Sequence, residues 1–142
     1  MRQLFAVAIL FSALGTDDEK EVAKFQGSWD IDTVVINGTT TKVEDGTSMP
    51  LRIVEKTVTH VLPNGLEMKG TLTLDTSKSP KEFDLQFDPL PNGIVPPPLK
   101  GIYEIEKDTM KWCVSIDPEG ERPRKFTSGL GEKRRLQVYK RN

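Results

Sequence analysis

The chain is poor in the residues that catalysis and metal binding use most. Its 142 residues include one cysteine, Cys113, and one histidine, His60. A lone thiol forms no internal disulfide, and one His with one Cys supplies no nitrogen–sulfur zinc site. Cys113 lies in a strand-like run, Met110 to Ile116, where a free Cys packs as a small hydrophobe rather than as a nucleophile. No Gly-rich phosphate loop with a Lys occurs, and no G-x-S-x-G elbow. Charge of one sign is also missing. The formal net charge is -1, so no global field draws nucleic acid or an acidic membrane. Beyond the first fifteen residues no run approaches the ~20 apolar residues that a membrane-spanning helix needs.

What charge asymmetry exists is local. From Arg122 onward, Arg122, Arg124, Lys125, Lys133, Arg134, Arg135, Lys140 and Arg141 stand against Glu132 alone. Such a run is either a binding patch or a solvated edge strand and loop, where Lys and Arg discourage edge-to-edge pairing. Its aromatic residues, Phe126 and Tyr139, are too few to form the stacking platforms that single-stranded nucleic acid requires.

Residues 1–15, MRQLFAVAILFSALG, have the layout of a secretory signal peptide. Arg2 is the positive start, Leu4 to Leu14 the apolar run, and Ala13 and Gly15 the small residues before a cut at Thr16. Export to the periplasm or medium is the expectation, with residues 16–142 as one mature domain. Ten prolines and eleven glycines suit a chain that turns often.

Asp17 to Phe25 opens with acids and carries Val22, Ala23 and Phe25, the pattern of a short helix. After it, apolar residues recur in period two. Ser28–Ile36 reads as a long strand ending at the turn Asn37-Gly38. Short strands around Leu51 and Ile53, and around Val58, His60 and Leu62, flank Glu55-Lys56. Pro63-Asn64-Gly65 is a turn. Met68, Gly70, Leu72 and Leu74 share a face, as do Phe83, Leu85 and Phe87. Pro89 to Pro98 is a loop. Ile102–Ile105 and Met110–Ile116 flank Lys107-Asp108, and Leu136 and Val138 mark the last strand. About eight strands in hairpin order predict an all-β fold, a small antiparallel up-and-down barrel, because closure removes exposed edges. An open sandwich is the alternative.

Three stretches resemble an uncharacterised bacterial domain family abundant in planctomycetes. They are FQGSW at Phe25–Trp29, GTLTLDTSKSPKEFDL at Gly70–Leu85 and GIYEIEKDTMKWCVSIDPEGERPRKF at Gly101–Phe126. This resemblance implies no activity. A second resemblance is to lipocalins. Gly27-Ser28-Trp29 is similar to the Gly-X-Trp motif that opens the first lipocalin strand, and it implies an Arg near the chain end, here Arg141, stacked on Trp29. The chain departs from lipocalins in being shorter and in lacking a helix between its last strands.

Candidate site residues follow from the barrel. Ile53, His60, Leu72, Leu85, Tyr103 and Trp112 are expected to line a lumen, with His60 and Tyr103 as orienting polar groups and Trp112, Tyr103 and Phe87 as aromatic walls. Each is also readable as ordinary core, and His60 as a satisfied core or rim histidine. Asp30 and Asp32 share a strand face and either hold a cation or are simply solvated. Three functions remain. One is a non-enzymatic binding module for a small apolar molecule, without a cofactor. Another is an envelope interaction or structural domain with a filled core, contacting partners through the basic C-terminal face and the Pro91–Pro98 loop. The last is a hydrolase with dispersed carboxylates.

Overall fold

A computed structural model of the chain describes residues 17–44, 50–117 and 119–142. The signal-like segment 1–15 lies outside the described residues. The helix α1 (Asp17–Phe25) is followed by β1 (Gly27–Ile36), β2 (Thr39–Lys42), β3 (Leu51–Val54), β4 (Thr57–Val61), β5 (Glu67–Asp75), β6 (Glu82–Phe87), β7 (Leu99–Glu106), β8 (Thr109–Ser115) and β9 (Arg134–Arg141).

Every pairing is antiparallel, in the order β2-β1-β3-β4-β5-β6-β7-β8-β9, and β9 returns to pair with β1. Among the described residues the sheet is a closed eight-strand barrel with one short helix, and the sandwich alternative falls on the β1–β9 pairing. Nine strands make eight staves because β2 and β3 share one. β3 pairs with Gly27–Trp29 and β2 with Thr33–Ile36, end to end along the same edge of β1. On its other edge β1 meets β9, with a register shift between Ile31 and Thr33 that makes a bulge at Asp32. Such a bulge bends the strand and sharpens its twist, which helps a small barrel close.

Alternation decides what faces inward. Leu51, Ile53 and Val58 are buried on β3 and β4, Leu72 and Leu74 on β5, Phe83 and Leu85 on β6, and Tyr103, Met110, Trp112 and Val114 on β7 and β8. Each large side chain removed from water stabilises the fold by roughly 1.5–3 kcal/mol. Gly101 also faces inward, opposite Phe83. A Cβ there would lie 2.6 Å from Phe83 Cε1 and 2.7 Å from the Cys113 carbonyl oxygen, so the missing side chain lets the Phe83 ring lie across β7.

A small second core lies outside the barrel. Ile102 and Cys113, neighbours on the outer face, are 1% and 0% exposed beneath the segment 119–133. Arg122 fastens that segment. Its Nη1 donates to the carbonyl oxygens of Phe83 (2.7 Å) and Gly101 (3.0 Å), and its Nη2 to Asp84 (2.6 Å).

Candidate functional site: the open half of the barrel

The two ends of the barrel differ. At one end α1 acts as a plug. Its Phe25 is fully buried and meets Tyr103 edge to face at 4.9 Å. Trp29 Nε1 donates to the Phe25 carbonyl oxygen at 2.8 Å, fixing the helix to the first strand. The guanidinium of Arg141 lies over the Trp29 ring, 4.1 Å from its centroid, and also bonds the carbonyl oxygens of Gln26, Lys24 and Lys107. Gly27 makes room for it: at φ 119, a Cβ there would come within 3.2 Å of Arg141 Nη1. Glu21, a buried carboxylate, accepts from the Tyr103 hydroxyl at 2.9 Å and from Lys81 at 2.6 Å.

At the other end the same alternation produces half-buried residues. Val34, His60, Met68, Phe87, Leu99, Arg135 and Gln137 occupy inward positions by register, and none is sealed from solvent. The polar ones among them have no hydrogen-bond or ion-pair partner among the described residues. Arg135 Nε and Trp112 Nε1 are fully buried and unpaired. Buried donors in folded proteins nearly always find an acceptor, so this is the exceptional part of the molecule.

Arg135 points into the barrel. It is opposite the fully buried Val114, and its charge reaches His60, on a stave that is not its neighbour. Burial first, and then the Arg135 charge, holds the His60 imidazole below its ordinary value of 6.5. Both effects disfavour the imidazolium, so His60 is a neutral group at physiological pH. A cleft of about 190 Å³ at the rim, between Pro97–Lys100 and Ser115–Asp117, also has Arg135 on its wall.

Of the residues expected from the sequence to line a lumen, Ile53, Leu72, Leu85, Tyr103 and Trp112 are inward and at most 2% exposed. Ile53 and Tyr103 belong to the plugged half. The Tyr103 hydroxyl donates to Glu21 and does not orient a ligand. His60 belongs to the open half, and Trp112, partner of Tyr103 on one side and of Gln137 on the other, lies buried where the two halves meet. Arg135 and Gln137 join His60 in the open half, unanticipated. The clue in the sequence was Tyr139, a bulky residue in phase with both.

The basic C-terminal run divides: Arg122, Arg124, Lys125, Lys133 and Arg134 line one cleft together with Glu121 and Glu132, whereas Arg135 and Arg141 lie apart from it. Arg122 is tied to β6, Arg134 pairs with Glu132, Arg141 stacks on Trp29, and Arg135 turns inward. Asp32 accepts from Lys42 and Thr33, which lowers its pKa, Lys42 being the chief cause. Among the described residues no group of three or more His, Cys, Asp or Glu is placed to hold a metal ion, and no helix is long and apolar enough to cross a membrane. Comparison with protein-family models, with curated proteins and with solved structures gives no match in any of the three.

Proposed function

We propose that this chain is an exported, non-enzymatic binding domain that holds one small, mostly apolar molecule in the open half of its barrel. The observation that carries this reading is the contrast between the two ends. The plugged half is packed and its polar groups are satisfied, whereas the open half keeps half-buried apolar residues beside polar groups with no partner in the chain. A barrel of this strand number either fills its interior or holds one small ligand, and here the two outcomes divide one barrel. The signal-like layout of residues 1–15 supports the exported setting. The residues quoted above support membership of the planctomycete-type family and a lipocalin-like architecture.

The neutral probe N-phenyl-1-naphthylamine, which brightens in apolar surroundings, tests the reading. The expected result is saturable one-to-one binding that Val34→Phe abolishes by filling the open half. Unsaturable binding, or saturable binding that Val34→Phe leaves unchanged, would overturn it. Native mass spectrometry of protein purified from its own host's extracts identifies the resident molecule.

A further inference from the structure

The open half is not uniformly apolar, and the formal charge on its inward face is positive, that of Arg135. Three donors lie on two adjacent strands: Trp112 on β8, and Arg135 and Gln137 on β9. Trp112 and Gln137 are direct partners in register, and Arg135 is one step along the same inward face. No Asp or Glu pairs with Arg135 among the described residues, although Arg122, Arg134 and Arg141 each have a carboxylate partner. The Trp112 indole is 2% exposed, with its N–H unpaired. The Arg135 Nε–H and the Trp112 indole N–H, both buried without a partner, cost stability unless something accepts from them.

We infer that the ligand carries a carboxylate headgroup, which Arg135 binds with Trp112 and Gln137 as further donors while the apolar body lies against Met68, Phe87 and Leu99. This rests on the lumen-binding reading above and narrows it to apolar monocarboxylic acids. The guanidinium presents a planar fork that matches a carboxylate in a bidentate way, which a neutral hydroxyl does not. Indole N–H is a donor only, so it selects an acceptor. His60, held neutral across the lumen, adds no competing charge.

Decanoate and 1-decanol, compared as competitors of bound N-phenyl-1-naphthylamine at neutral pH, separate the parts of this inference. Wild-type protein should bind decanoate about tenfold or more tightly than 1-decanol, the size expected of one charge-assisted pair. Arg135→Gln should remove that preference, while Arg135→Lys should keep part of it. A measurement on wild type alone guards against a variant that fails to fold. The carboxyl carbon of bound, ¹³C-labelled decanoate should titrate below that of the free acid. Equal affinity for the acid and the alcohol overturns the headgroup assignment but leaves the cavity intact. So does a preference that survives Arg135→Gln, or a bound carboxyl that titrates at or above the free acid. Failure of both competitors to displace the probe overturns the cavity reading as well.

Discussion

Replacing Glu21 by Gln isolates the charge that holds α1 over the barrel end. Glu21 is 4% exposed. Its two oxygens accept from Lys24 at 2.7 Å, Lys81 at 2.6 Å and the Tyr103 hydroxyl at 2.9 Å. Burial alone would push the carboxyl up, but Lys24, Lys81 and Tyr103 together outweigh it and lower the pKa from 4.5 to about 2. The gap between 4.5 and about 2, at ~1.4 kcal/mol per pH unit, sets a ceiling of about 3 kcal/mol. The lysine side chains are 57% and 43% exposed, so water screens both pairs and the expected loss is about 1–2 kcal/mol. Glutamine keeps an acceptor for Tyr103, so the charge is the main change. Because the folded-state pKa is depressed, the contribution is complete above pH 4.5 and is lost as pH falls from 4.5 through about 2. Urea unfolding of both proteins, followed by tryptophan fluorescence over a pH series, reads this directly. The gap between wild type and Glu21→Gln should be widest at neutral pH and shrink to about half near pH 3. A gap that stays constant with pH, or is missing at neutral pH, refutes the reasoning.

Three further outcomes follow from the same geometry. Arg141→Ala should cost about 2–3 kcal/mol, because it removes a stacked cation and several hydrogen bonds together, and Arg141→Lys should recover less than half of that in urea unfolding. The ring of His60, the only histidine, should titrate below 6.5 by NMR and move upward in Arg135→Gln; since its folded-state pKa is depressed, its contribution to stability is present above 6.5 and lost as pH falls below that value. Gly101→Ala should lower stability by about 2 kcal/mol or more, because the backbone carbonyl of Cys113 cannot give way, and an unchanged urea midpoint would contradict the β6–β7 register.

The helix and most strands were legible because each obeys one local rule. Asp17, Asp18 and Glu19 sit in the first turn of α1, and Leu72 and Leu74, or Phe83 and Leu85, alternate cleanly with polar neighbours. β2 was not legible. Thr39–Lys42 is entirely exposed and holds its place by main-chain pairing to β1, which leaves no trace in apolar periodicity. The last strand misled in a different way. Leu136 and Val138 look like its core face, yet the register puts Arg135, Gln137 and Tyr139 inside. At Leu136 the outer surface is itself apolar, because its neighbour Cys113 is buried beneath segment 119–133. The basic run likewise divides in space: five of its eight members line one cleft, while Arg135 turns inward and Arg141 stacks on Trp29.

The seam between β1 and β9 has a bearing on how the molecule is made. Arg141 reaches back to Gln26 across 115 positions, and Asn142 to Ser28 and Asp30. Until β9 has been synthesised, β1 and β8 each present an unpaired ladder of N–H and C=O groups, the kind of border on which chains aggregate. Pairing over such a span is slow compared with local hairpins. The newborn polypeptide is therefore most vulnerable in the interval before β9 pairs with β1.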